Sequence, residues 1–225
     1  MDFQLLSTAF TAVAWTLVYI DAIRVGLRDK SYAMPFWALA MNFAWEVLHA
    51  VFGYFELGMT SQVVANFVWA LFDVGILVTY FKYGRSESPF PDSKNAFVTW
   101  SVCALIASAL VQYAFIVTFG AQLGAVYSAW TQNVLISVGF VEMRRRRGSS
   151  LGQSKLIAYS KWLGTLVVSI YFGFFFRGKV ANYPNTFVII VGLVCALYDM
   201  YYIFLMHRGD KSTSAPQTIP DALKS

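Results

Sequence analysis

Three short stretches of this chain place side chains capable of chemistry at helical spacing. In "MNFAWEVLHAVF", Asn42, Trp45, Glu46 and His49 fall at i, i+3, i+4 and i+7, one stripe of a helix. "NFVWALFD" repeats the theme with Asn66, Trp69 and Asp73 at i, i+3 and i+7. "CALYDMYY" does so again with Cys195, Tyr198, Asp199 and Tyr202 at i, i+3, i+4 and i+7. Each stripe joins a carboxyl to aromatic rings. A hydrocarbon environment disfavours ionised carboxyls, and two carboxyls sharing a site disfavour it further, so such a place can keep a carboxylic acid protonated near neutral pH. A protonated acid is a general acid. Rings such as Trp45, Trp69, Tyr198 and Tyr202 attract a cation over their faces without offering it a strong nucleophile. An acid in a dry aromatic cavity suits chemistry through carbocations.

Purely structural readings compete at each position. Interhelical hydrogen bonding explains Glu46 and Asp199 poorly, because an amide or a hydroxyl would do it at lower desolvation cost. Asp73 divides evenly between the two readings. His49, toward the outer end of its helix, reads as a helix-to-helix or interfacial hydrogen bond. Gln112, Gln132 and Asn133 could line a pocket or join helices. Asp21 and Glu142 sit beside Arg24 and Arg144 and read as interfacial ion-pair partners.

The elements that position these residues must lie in a membrane. The 225 residues are 58% apolar, 18% aromatic and only 13% charged, with a mean hydropathy of +0.56, whereas soluble domains carry about 25% charged residues. Stretches long enough to span a bilayer cover residues 3–23, 35–54, 61–81, 96–119, 124–142, 154–176 and 186–206. Glu46, Asp73 and Asp199 each lie eleven to thirteen residues from the start of their span, near the midplane. The expectation is an all-α, seven-transmembrane helix bundle over 1–206 and a disordered cytoplasmic tail over 207–225.

The net charge of +5 is distributed as a topology signal rather than a nucleic-acid footprint. With the N-terminus outside and the C-terminus cytoplasmic, fifteen of the seventeen Lys and Arg residues fall in cytoplasmic links, flanking turns or the tail. Arg177 and Lys179 are the exceptions. The first span lacks a basic lead-in and does not read as a cleaved signal peptide. Cys103 and Cys195 lie inside spans, and no CxxC, His-rich tract or Gly-rich phosphate loop supports a metal or a cofactor. Midplane acids also serve proton-coupled transporters, the alternative reading, but no internal repeat and few Gly or Pro interruptions accompany them. A retinal protein needs a lysine in the last span, which has none.

"SYAMPFWALAMNFAWEVLHAVF", "NFVWALFD", "YSAWTQNVLISVG" and "YDMYYIFL" resemble the motifs of the membrane-integral terpene cyclases of fungal meroterpenoid and indole-diterpene pathways and their bacterial relatives. The resemblance covers nearly the whole chain, including its length and the Arg/Gly/Ser-rich link after residue 143. It implies a cofactor-free, metal-independent cyclase that protonates an epoxide, or an alkene, on a prenyl chain. The family's essential acids correspond here to Glu46 and Asp199. Glu46 would be the proton source and Asp199 its polarising or proton-sharing partner. Asn42 would orient the carboxyl, with Trp45, Trp69, Asp73, Tyr198 and Tyr202 around the substrate. The partners implied are the bilayer, an epoxy-prenyl substrate, and the prenyltransferase and epoxidising monooxygenase that supply it. The host membrane would be fungal endoplasmic reticulum or bacterial plasma membrane. The polar pair Gln132 and Asn133 departs from the family pattern and has no assigned role.

Overall fold

A computed structural model describes residues 3–176 and 184–209. The expectations for Arg177, Lys179 and the tail beyond residue 209 lie outside the described residues.

Every regular element there is helical: α1 (Phe3–Arg28), α2 (Phe36–Leu57), α3 (Ser61–Tyr83), a short turn (Arg85–Glu87), α4 (Lys94–Arg147), α5 (Lys155–Ile170) ending in a π turn (Tyr171–Phe175), and α6 (Thr186–His207). The chain marks these boundaries locally. Thr60, Ser93, Ser154 and Asn185 each turn a side-chain oxygen onto a backbone N–H of the first turn that follows. Gly58 and Gly148, both at positive φ, close α2 and α4.

α4 has 54 residues, which as a straight rod would be about 80 Å long, far more than a bilayer of about 30 Å needs. It is not straight. Gly120, at φ 76° and ψ 165°, breaks it into arms 94–119 and 121–147. Gln112 and Gln132, one on each arm, hydrogen-bond at 2.7 Å, and the Phe119 and Tyr127 rings lie 5.4 Å apart. Both contacts require the arms to fold back antiparallel. The glycine supplies a backbone geometry that other residues rarely adopt.

Five of the six α-helices are long and apolar enough to cross a membrane, counting α4 once. α2 falls short of that standard because Asn42, Glu46 and His49 lie within it. Large apolar side chains such as Phe55, Phe67, Leu71, Ile106, Leu110, Ile190 and Leu193 face outward, as a bundle in lipid requires.

Of the consecutive helices, α2 with α3 and α5 with α6 pack closely, while the most extensive packing joins helices further apart in sequence. α1 packs on α3 and α5, α2 on α3 and α4, and α6 on α4 and α5. The basic links gather at one end. There Glu87 accepts from both Arg146 and Arg147, and the Gly152 N–H donates to Asp29. Asp21 pairs with Arg24 as expected and also takes a hydrogen bond from Ser154. Glu142 is instead exposed, and Arg144 donates to the Arg208 carbonyl. The 57–61 link, the Gly120 bend and Phe176 mark the opposite end.

Candidate active site

A cavity of about 380 Å³ opens within the bundle, a volume typical of small-molecule sites. Along α2 it runs from Asn42 to Leu57, fifteen residues or about 22 Å. Its inner end is bounded by Tyr19, Asn42, Glu46 and Ile136, and its outer part by Leu57, Thr60 and Gln122. Trp15, Trp45, Trp69 and Trp130 line it from four different elements. Among the described residues that line it, Glu46 is the one acid, and no Lys or Arg is present.

The inner end is a hydrogen-bonded polar cluster built from α1, α2, α3 and both arms of α4. Tyr19 donates to Glu46 Oε1. The Asn42 amide donates toward Tyr19 Oη at 2.7 Å, Glu46 Oε1 at 2.8 Å and Asp73 Oδ2 at 2.9 Å, three acceptors sharing two protons. Gln132 Nε2 donates to Asn42 Oδ1 at 3.1 Å, fixing which way that amide points. Gln112 in turn donates to Gln132 Oε1. Glu46 and Asp73 are fully buried and within hydrogen-bonding reach of each other. Glu46 Oε2 and Asp73 Oδ1 receive no donor from other described groups. Glu46, at the cavity's inner end, thus has one oxygen held by Tyr19 and Asn42 and a second that is buried without a donor from other described groups.

The aromatic wall is pinned by its polar edges. Trp45 Nε1 donates to the Ala125 carbonyl at 3.1 Å, Trp69 Nε1 to Thr16 Oγ1 at 3.1 Å and Trp130 Nε1 to Ser169 Oγ at 2.9 Å. With their N–H groups engaged by the protein, the indole faces remain for whatever the cavity holds.

The family model of the Pyr4-like transmembrane terpene cyclases matches residues 3–212. The chain belongs to that family. It is 31% identical over 210 residues to the Pyr4-family terpene cyclase mfmH of Annulohypoxylon moriforme, covering 89% of this chain and 84% of that one. It is 31% identical over 157 residues to terpene cyclase dpmpB of Macrophomina phaseolina, covering 69% and 64%. It is 29% identical over 222 residues to terpene cyclase ascF of Acremonium egyptiacum, covering 88% and 79%. No solved structure matches the chain. Membership makes it a membrane terpene cyclase of terpenoid biosynthesis, and the transporter reading falls away.

The cyclase brings together some of the residues expected to work together and separates others. Asn42, Trp45, Glu46 and Trp69 meet at the cavity, with Asp73 directly behind. Asp199 does not stand beside Glu46. It is ion-paired with Lys161, whose ammonium also donates to Ser137 Oγ at 2.7 Å. Both charges are buried, and neither residue lines the cavity. Tyr202 is buried against Phe140, and Tyr198 is 40% exposed on the outer face of α6. Neighbours on a helix point about 100° apart, and the buried stripe of α6 is centred on Asp199, so Tyr198 is turned outward.

Two residues passed over in the sequence are central here. Tyr19 completes a Thr11, Trp15, Tyr19 stripe at i, i+4 and i+8 of α1, all three lining the cavity, a pattern that could have been read. Lys161 was counted among the cytoplasmic charges but lies seven residues into α5. A lysine at that depth calls for a buried acid, and Asp199 is it.

Proposed function

We propose that this cyclase starts catalysis by protonating an epoxide, or a terminal alkene, at the end of a prenyl chain, and that Glu46 delivers the proton. The observation carrying this reading is that, among the described residues, Glu46 is the one acid lining an aromatic cavity, with Oε1 held by Tyr19 and Asn42 and Oε2 without a donor. Two carboxyls in contact behave as a pair carrying one proton. In the protonated pair, Glu46 Oε2–H is the donor and Asp73 the partner that stabilises the charge left behind. Asn42 and Tyr19 hold the carboxyl in register. Trp45 and Trp69 offer their faces to the cations that follow, and exclusion of water delays quenching.

Asp199 enters as the counter-ion of Lys161 rather than as a second acid in the cavity. Together with Ser137 the pair ties α5 and α6 to the second arm of α4, five residues beyond Gln132. Gln132 orients Asn42, which holds Glu46.

The substrate is an epoxy-prenyl compound, made by a prenyltransferase and an epoxidising monooxygenase, and its reactive end enters first toward Glu46. The six α-helices, with α4 folded in two, form seven membrane spans with the N-terminus outside and the C-terminus cytoplasmic. The asymmetry of Lys and Arg supports this orientation. The reaction needs no metal. Conversion of an epoxidised prenyl substrate by detergent-solubilised protein tests the reading. It expects cyclised product with a chelator present and no ion gradient; strict dependence on an added metal contradicts it.

A further inference from the structure

Proton release leaves a negative charge on the Glu46–Asp73 pair, and how well that charge is met depends on which way the neighbouring amides face. We propose that Gln112, buried outside the cavity, is the positioning residue that fixes their direction. It holds Gln132, and through it Asn42, with the N–H groups turned toward the two acids. The proposal rests on protonation by Glu46 as the first step.

An amide side chain can turn end for end, so a chain of amides needs one partner that cannot. That partner is the Met41 carbonyl, part of the α2 backbone, which only accepts. Gln112 Nε2 donates to it at 3.4 Å and to Gln132 Oε1 at 2.7 Å. With its oxygen engaged, Gln132 offers Nε2 to Asn42 Oδ1 at 3.1 Å. Asn42 then faces Tyr19 Oη, Glu46 Oε1 and Asp73 Oδ2 with Nδ2, at 2.7, 2.8 and 2.9 Å. Tyr19 passes its own O–H on to Glu46 Oε1. Every link donates toward the acids. Gln112 is fully buried and is not one of the residues on the cavity wall. Its own Oε1 receives no donor from other described groups. An apolar side chain would fill that place without leaving a buried acceptor unmet, so it is the donor end that the site uses.

Turned about, the chain sets oxygen against oxygen. Without Gln112, Gln132 is free to offer its oxygen to Asn42. The Asn42 Nδ2 then turns toward Gln132, and its Oδ1 meets the carboxyls. The charge left when Glu46 gives up its proton loses donors that were already aimed at it, and such preorganised donors act most strongly on developing charge. The loss falls on the chemical step rather than on substrate binding, because Gln112 stands off the cavity wall. It reaches Met41 and Gln132 because the Gly120 bend lays the first arm of α4 against the second.

The test separates relaying from packing. Gln112→Met keeps the length of the side chain and removes its donor. Per folded molecule in detergent, kcat for an epoxy-prenyl substrate should fall about 10-fold with KM within about 3-fold of wild type, the pattern of a charge-assisted hydrogen bond lost in the transition state. Because the effect passes through Gln132, Gln112→Met combined with Gln132→Met should cost kcat no more than about 2-fold beyond Gln132→Met alone. A packing role makes the two separate falls multiply, and that result overturns the proposal. So does wild-type kcat in folded Gln112→Met. If that variant does not fold, wild-type kcat in Gln112→Asn, an amide too short to span both partners, does the same. Glu46→Gln in the same assay reports on the first step separately. Turnover there at the wild-type rate contradicts protonation by Glu46, whereas its loss alongside wild-type kcat in the Gln112 variant contradicts the relay alone.

Discussion

The chemistry of this cyclase rests on a few side chains whose partners decide what they can do. Glu46 and Asn42 were legible in the sequence because a polar stripe inside an apolar helix has few explanations. Tyr19 was not, because its role depends on where α1 meets α2, which no local pattern encodes. Tyr19→Phe removes one of the two donors on Glu46 Oε1 while keeping the ring. It should lower turnover roughly 10-fold with folded yield preserved, the cost expected of a hydrogen bond to a charged group. The aromatic wall gives a second prediction. A desolvated cation–π contact is worth about 2 kcal/mol, or roughly 30-fold in rate when it acts on the transition state alone. Trp45→Leu and Trp69→Leu should therefore slow turnover or release partly cyclised products. If they are only packing residues, folded yield falls while activity per folded molecule and product pattern stay as they were.

At the scale of elements, hydropathy placed apolar helices where they occur, with the expected 96–119 and 124–142 stretches joined in the one bent α4, whereas contacts between helices did not follow from the sequence. Lys161 shows why: counting charges along a sequence ignores depth, and a lysine seven residues into a span pairs with an acid on another helix. Breaking a buried ion pair strands the remaining charge, but replacing both partners with apolar residues is often neutral. Asp199→Leu should therefore lose folded protein, activity or both, and Lys161→Met with Asp199→Leu should recover turnover and product pattern. A folded, inactive double variant would return Asp199 to the chemistry. The α4 bend makes a backbone prediction. Gly120→Ala adds a methyl that meets no atom within 4 Å, so its cost is conformational, about 1–3 kcal/mol of stability. Unchanged thermal stability would mean that the bend relaxes without a glycine. Gly124→Ala meets the Phe115 carbonyl at 2.8 Å and should also push the arms apart.

For the molecule as a whole, the sequence conveyed its class well, because a bilayer constrains composition and charge placement more tightly than water does. The link end carries a pH-sensitive contact. The Arg28 guanidinium beside Asp29, with help from the Gly152 N–H, holds that carboxyl below the usual carboxylate range. A depressed carboxyl contributes stability that is complete above its unfolded value, near 3.8, and is lost as pH falls through the folded one. Acid unfolding of Asp29→Asn should accordingly be less steep below that pH, and identical curves would remove the contact from the account. Reporter fusions should place the N-terminus outside and the C-terminus in the cytoplasm; both termini in one compartment would rule out an odd number of spans. The central claim is that Glu46 delivers the initiating proton, and Glu46→Gln tests it most directly, since the amide keeps shape and hydrogen bonding but has no acidic proton. Turnover of an epoxy-prenyl substrate per folded molecule in detergent should fall at least about 1,000-fold, as befits loss of a general acid. Cyclisation by folded Glu46→Gln at the wild-type rate would contradict it.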